Sequence, residues 1–224
     1  MAAVTLTTLR SLVRERADMV GSTFIADSAT GLDRWINEAG QCLHGYLVDA
    51  LGDEYVESSS ALTLVAGTTN YNLPSDFYKL YEVDLTLSGT LRTLTRYNRA
   101  ERNMLTTRIA SWQEVPQYML AGSTIRILPT PQAAASGTIR YAPAFTTLTN
   151  GSDTCNFPNG WEKYIIVSAA IQALMKEESD VRDLRVEFQD FEAKLRAMKE
   201  DRDLQFPVQA VDLDAVDFAN NWRW

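Results

Sequence analysis

The sequence predicts an α+β protein. A helical bundle is formed by the N- and C-terminal helices, a small antiparallel β-sheet or barrel domain is inserted between them, and an extended C-terminal arm follows. Three observations carry this. Apolar residues recur at three and four positions from Leu6 to Leu51 and again from Trp161 to Met198, the period of a helix with one buried face. Between those stretches the period falls to two and turn residues punctuate the chain, as in short strands. From about Asp201 onward neither period holds. The corresponding divisions are 1–56 and 148–203 for the bundle, 57–147 for the β domain and 204–224 for the arm.

In the first helix Leu6, Leu9, Val13, Ala17 and Val20 share a face, Thr5 or Thr7 caps it, and Gly21-Ser22 ends it. The second follows an Asp27-Ser28 cap. It carries Leu32, Trp35, Ile36, Ala39, Leu43, Tyr46, Leu47 and Leu51 to a stop at Gly52. The two are expected to lie antiparallel across a short loop, against a third element.

Near Ser58 the period changes. Leu62 and Leu64 mark one strand, Ala66-Gly67 a turn, and Thr69, Tyr71 and Leu73 a second strand broken by Pro74. Ser75-Asp76 turn the chain into a long strand, Phe77–Leu87, with Tyr81, Val83, Leu85 and Leu87 on one face. Gly89 marks a hairpin to Leu91–Thr95. Asn98 caps a short helix to about Ile109. Gln117–Leu120 and Thr124–Leu128 are strands joined at Ala121-Gly122, ended by Pro129 and Pro131, and Thr138–Tyr141 is the last strand.

Helices resume after Asn156-Phe157-Pro158. Trp161, Tyr164, Ile165, Ser168, Ile171, Ala173 and Leu174 define one that runs to about Glu178. Asp180 caps the next, whose stripe is Val181, Leu184, Phe188, Phe191, Leu195 and Met198. On its outer face Asp190 precedes Lys194, and Glu192 precedes Arg196, by four residues, the favourable order for helix ion pairs.

Composition narrows the function. The 224 residues are 46% hydrophobic, enough for a real core, with a formal net charge of -8. Such a balance argues against a surface that neutralises nucleic-acid phosphates, which needs clustered Lys and Arg. Cys42 and Cys155 lack metal-ligand spacing and read as buried thiols of a reducing cytoplasm. No apolar run approaches the ~18 residues of a membrane span. The opening MAAVTLTTLR lacks the charge order of a signal peptide, so a soluble product that is not exported is expected.

Candidate chemistry is thin. His44, the single histidine, lies mid-helix and reads as structural; its neighbour Cys42, two residues away, points to a different side of the helix. There is no phosphate-binding glycine loop and no nucleophile elbow. Asp76 reads as a turn residue bonded to its own backbone rather than a catalytic carboxylate. Glu177-Glu178 and Glu200-Asp201 lie near helix ends on solvated faces. No catalytic, cofactor or metal residue is nominated, and the chain reads as a non-enzyme. Trp35 and Trp161 fall on core faces, and Trp112 on core or interface.

The tail differs from an ordinary disordered one, which is poor in aromatics. Leu204, Phe206, Pro207, Val208, Val211, Leu213, Val216, Phe218, Trp222 and Trp224 form the candidate partner-binding set, with Asp212, Asp214 and Asp217 between them.

Several stretches, in this order, resemble a known family: Leu9-Arg10-Ser11-Leu12-Val13-Arg14-Glu15-Arg16; Trp35-Ile36-Asn37-Glu38-Ala39; Gly67 through Phe77 (GTTNYNLPSDF); Pro116-Gln117-Tyr118; Ile125 through Pro131 (IRILPTP); Pro158-Asn159-Gly160-Trp161-Glu162; and Ala169 through Leu174 (AAIQAL). Together they span most of residues 6 to 200 and are similar to the head-to-tail adaptor proteins of short-tailed bacteriophages, also called gatekeeper or tail-tubular A proteins. The resemblance implies a virion protein, made in the host cytoplasm, whose copies, usually twelve, form a ring beneath the portal protein. The ring carries the tail nozzle, has fibres or spikes nearby, and extends a channel through which DNA passes without specific binding. It implies that the C-terminal segment docks on the portal or an adjacent subunit. A net acidic chain would suit a lumen that does not grip DNA. The competing reading is a tail or baseplate module that binds fibres or the host surface through its β domain.

Overall fold

The structure, a computed structural model, describes residues 4–107, 116–155, 157–158 and 160–205, with the side chains at 107 and 200–205 outside that description. The element order is β1 (Val4–Thr5), α1 (Leu6–Arg16), α2 (Leu32–Ala50), β2 (Ser58–Leu64), β3 (Asn70–Asn72), β4 (Phe77–Leu87), β5 (Thr90–Thr93), β6 (Thr95–Arg96), α3 (Arg102–Thr107), β7 (Gln117–Ala121), β8 (Thr124–Leu128), β9 (Ala135–Pro143), β10 (Thr154–Cys155), α4 (Glu162–Lys176) and α5 (Arg182–Gln205). Single 3-10 turns at Gly52–Glu54 and Arg99–Glu101 precede β2 and α3.

The helical body is α1, α2, α4 and α5. Thr5 caps α1 by accepting the Thr8 N–H at 3.2 Å. Leu6, Leu9, Val13 and Ala17 are buried as their spacing requires, but Val20 is exposed. The helix ends at Arg16 and Asp18 takes a positive φ of 53°, so Val20 leaves the stripe and Met19 turns inward. The connection to α2 is the long segment 17–31 rather than a short loop. Arg14 holds it, donating to the carbonyls of Ser22 (2.7 Å) and Ile25 (2.6 Å) and pairing with Asp27 (2.8 Å). Asp27 is thereby used, and the α2 cap is Gly31, not Asp27-Ser28. Arg10 grips Asp33 in the first turn of α2 through two bonds of 2.7 and 2.8 Å, joining the two helices where Asp33 is buried. Helix α4 packs on both α1 and α2, and α5 closes over α2 and α4. Leu43, Leu47, Ile165, Ala169 and Leu195 meet in this core. Trp35 and Trp161 pack against its rim, only partly buried. Tyr46, expected inside, is exposed. The N-terminus adds a pair not foreseen in the sequence: β1 runs antiparallel to β10, Val4 opposite Cys155.

The inserted domain is a sandwich, not a single sheet, and among the described residues no barrel closes. One antiparallel sheet has the order β2-β9-β4-β5 and the other β3-β8-β7-β6. Their facing residues Leu64, Val83, Leu85, Ile125, Ile127 and Ile139 form its core. In the second sheet β6 runs parallel to β7, contrary to the all-antiparallel expectation. The cause is the connection: a parallel partner needs a crossover, and α3 lies on it. Asn98 caps the turn before α3, as its position predicts, with Glu101 completing a capping box. The β4–β5 hairpin turns at Ser88 and Gly89, both with positive φ (52° and 79°), the backbone of a two-residue turn matched to strand twist.

Strand β4 keeps its expected ends but changes face twice. Val83, Leu85 and Leu87 point into the sandwich, whereas Tyr81 does not. Pairing with β9 slips between Leu80 and Glu82 and between Phe77 and Lys79, so Tyr81 and Tyr78 are extra residues, Leu80 and Phe77 take the inward places, and Tyr81 donates its hydroxyl to the Val56 carbonyl (3.1 Å). On β9, Gly137 lies so close to β4 that a Cβ would meet the Asp84 carbonyl oxygen at 2.3 Å. Backbone cannot yield there as a side chain can. Gly137→Ala is expected to cost about 1–3 kcal/mol, read as a lowered urea midpoint; an unchanged midpoint would show that β4 and β9 part freely.

Candidate interaction surfaces

The residue set proposed from the sequence begins at the end of α5. Leu204 falls in its last turn, so the helix extends to Gln205, slightly past the expected boundary at 203. Phe206, Pro207, Val208, Val211, Leu213, Val216, Phe218, Trp222 and Trp224 lie outside the described residues, as does Trp112. What the structure gives is the platform from which that segment leaves. Phe188 packs on Tyr164 (4.9 Å between ring centroids), Phe191 on Trp161 (6.4 Å), and Leu195 is buried. Arg16 pairs with Glu187. Asp180 accepts the Arg182 N–H at 3.0 Å, and its ion pair with Arg182 holds its carboxyl down at about 2. On the outer face Arg196 meets Glu192 at 4.0 Å, while Lys194 lies over the Phe191 ring. Ten residues beyond Leu195, roughly 15 Å of helix, α5 reaches Gln205.

A second surface is the joint between the body and the β domain. Asn37, Gly40 and His44 stand three and four apart, on one face of α2. Asn37 donates to the Leu148 carbonyl (2.9 Å) and accepts the Leu148 N–H (2.7 Å). A Cβ at Gly40 would sit 2.7 Å from the Phe145 ring. His44 Nε2 lies 2.9 Å from the Pro143 carbonyl, which only accepts, so Nε2 carries the proton and Nδ1 accepts from the Tyr55 hydroxyl at 3.2 Å. The imidazole packs edgewise on Tyr55 and Tyr78. Its structural reading holds, with a more definite role than a lone mid-helix histidine announces.

The other chemical candidates resolve into packing. Asp76 accepts the Tyr141 hydroxyl (2.9 Å) instead of bonding its own backbone. Cys155 is buried, its thiol pushed up by burial; Cys42 is exposed, because it faces away from the α2 stripe that carries Leu43. Asp84, buried on β4, accepts the Thr93 hydroxyl at 2.6 Å. Arg140 stands between Glu57 (2.8 Å) and Glu82 (2.9 Å), with Asp84 at 3.5 Å, and its one positive charge offsets part of that acidic cluster.

The third surface is not nominated by the sequence reading. A cleft of about 830 Å³ opens beside β6, α3 and the β7–β8 hairpin, lined by Arg96, Tyr97, Asn98, Arg99, Arg102 and Arg126 among others. Arg96, Arg99 and Arg102 are exposed, and among the described residues none has an acidic partner. Arg126 is tied to Asn70 at 2.9 Å. The Tyr97 side chain is buried and, among the described residues, its hydroxyl has no partner in hydrogen-bond geometry. Burial raises its pKa, against the opposing pull of the Arg126 and Arg102 charges. The signal was three arginines close in sequence, Arg96 at the end of β6, Arg99 in the 3-10 turn and Arg102 at the start of α3. The net charge of -8 hid it.

Compared with protein families, residues 4–211 match the family model described as SU10 adaptor protein. No curated protein matches the chain. Among the described residues no helix is long and apolar enough to cross a membrane.

Burial lowers the His44 pKa below its ordinary 6.5, opposed by the bond to Pro143. The native fold therefore prefers neutral imidazole. Its contribution is complete above about pH 6.5 and is lost as pH falls below that value toward the lowered native one. As the chain's one histidine, it gives an unambiguous NMR titration, expected below 6.5 in the folded protein. The stability of the wild type should fall more than that of His44→Gln between about pH 7.5 and 5.5. A native titration at or above 6.5 would contradict the burial.

Proposed function

The chain belongs to the SU10 adaptor protein family, phage adaptors that are structural parts of the virion, and from that premise we propose that it is a head-to-tail adaptor of a phage neck. Its copies form a ring, twelve in the reading carried from related adaptors, between the portal protein and the tail nozzle. The ring extends the channel for DNA. Fibres or spikes bind nearby, and the gatekeeper or tail-tubular A subtype is the one the residue pattern resembles. The activity is mechanical and associative rather than catalytic.

The observation that carries this reading is the family match over nearly the whole chain. The build of the molecule supports it. A helical body with a wide apolar core provides a rigid unit for a ring. A β sandwich stands off from it on two strands, and the C-terminal segment leaves from a helix pinned to the body at Leu195. Residues 206–224 supply the apolar and aromatic groups for docking on the portal or a neighbouring subunit, and Asp212, Asp214 and Asp217 keep them soluble before they dock. In a ring, many weak contacts of this kind act together, so overall attachment exceeds any single one by orders of magnitude.

Mass measurement of the protein alone and mixed with its portal tests the assembly. A ring-sized complex in the presence of portal is the expected result, and a mixture of unchanged free species would sink the reading. Deleting 206–224 should leave the thermal transition of the body within a few degrees of wild type and abolish stable attachment. Tailed particles assembled from the truncated protein would show that the anchor lies elsewhere.

A further inference from the structure

We propose that the arginine cleft of one copy receives the aspartate-bearing stretch Asp212–Asp217 of the C-terminal segment of a neighbouring copy. The proposal rests on the ring reading above and goes further by naming the two surfaces that meet. Four arginines line one concavity in a chain whose formal charge is -8, so the cleft is a local inversion of the protein's own field. Three of them lack an acidic partner among the described residues. Guanidinium groups of this kind bind carboxylates through paired, directional bonds. The buried Tyr97 hydroxyl, without a partner in hydrogen-bond geometry among the described residues, is a further polar group at the same place that an incoming carboxylate or carbonyl would engage.

The sequence supplies a matching occupant. Val211-Asp212-Leu213-Asp214 alternates apolar and acidic residues, so an extended backbone would turn both carboxylates to one side and Val211 and Leu213 to the other. Asp217 follows three residues later. Within 206–224 these three acids meet only one basic residue, Arg223. The cleft also has an apolar side, contributed by Met119 and Leu120. Asp212 and Asp217 lie seven and twelve residues beyond Gln205, so an extended chain carries them up to about 24 and 41 Å from the end of α5.

A neighbour is the occupant that suits the ring on which this proposal rests. A segment of one copy entering a different surface of the next is a head-to-tail contact, and such contacts repeated about an axis close into rings. The arm then has two parts. The acidic part fastens copy to copy, and Trp222 and Trp224, a few residues further on, remain available for a partner outside the ring.

The test uses a fluorescently labelled peptide of residues 206–224, titrated at low salt into two full-length proteins, the wild type and a variant carrying Asp212→Lys, Asp214→Lys and Asp217→Lys. Anisotropy should show saturable binding to both. Adding Arg99→Glu and Arg102→Glu, both at exposed positions, should weaken binding by about tenfold or more, and raising the salt should weaken it further. A peptide with the three aspartates changed to asparagine should bind correspondingly less. No binding, or binding indifferent to the arginine reversals, overturns the proposal. A wild type that is blocked at a concentration where mass measurement finds only monomer, while the lysine variant binds, would place the arm in its own cleft and overturn the assignment to a neighbour. A short DNA duplex that competes more strongly than the peptide at equal concentration would make the cleft a phosphate site instead. Circular dichroism of each variant confirms folding. Mass measurement of the wild type with its portal reports separately on the ring, so loss of the ring reading and loss of the cleft reading are distinguishable.

Discussion

Everything above the helical body depends on one face of α2. Asn37, Gly40 and His44 grip three consecutive parts of the chain as it returns from the β sandwich: Leu148 by a pair of hydrogen bonds, Phe145 by a gap left where a side chain would be, and Pro143 by the imidazole. A single hydrogen bond of this sort contributes about 1 kcal/mol net, yet leaving any of these buried groups unpaired costs more. The grip is therefore asymmetric. It adds modest stability when made and imposes a larger penalty when one member is lost. That asymmetry fixes where the sandwich stands relative to the core. The same helix is held at its start by Arg10 through Asp33 and along its other sides by α4 and α5. Orientation set on α2 is thus transmitted to both chain ends.

Much of this was legible because apolar periodicity reports burial directly. The helical stripes from Leu6 to Ala17 and from Leu184 to Leu195, and the ends of β4, stand where the spacing puts them. Legibility failed where a local event changed phase. Val20 is displaced by the positive φ at Asp18, and Tyr81 by an extra residue in the β4–β9 pairing. Neither event has a strong sequence signal, because Asp tolerates that backbone and the extra residues at 78 and 81 are ordinary tyrosines. Strand partners were equally hidden. Periodicity says that a residue is half-buried, not which strand lies beside it, so two sheets with one parallel pair read as a single antiparallel one. The N-terminal pair of β1 with β10 is too short to have a period at all.

Site residues follow the same rule. His44 was readable as structural from its isolation, but its partners Pro143 and Tyr55 lie far away in sequence and only the fold brings them in. The arginine cleft was obscured for a different reason. Net charge averages over the chain, whereas recognition depends on the field at one concavity. Arg96 ends β6, Arg99 and Arg102 follow in the 3-10 turn and at the start of α3, Arg126 arrives from β8, and no composition argument assembles them. The C-terminal aromatics show the converse: their chemistry is evident in the sequence, and their surroundings lie outside the described residues.

The two strands that carry the chain into and out of the sandwich are themselves partners: Ser58 on β2 faces Tyr141 on β9 in an antiparallel register. The gateway between body and inserted domain is consequently one hairpin-like neck, with its two sides about 5 Å apart. A unit attached in this way is exchangeable in evolution. Any domain whose ends meet as an antiparallel pair could replace it without disturbing the helices beneath. The residues that would have to persist through such an exchange are those on α2 that hold the neck, not those of the sandwich. After such an exchange the helical body and its grip would stay together beneath a different inserted domain.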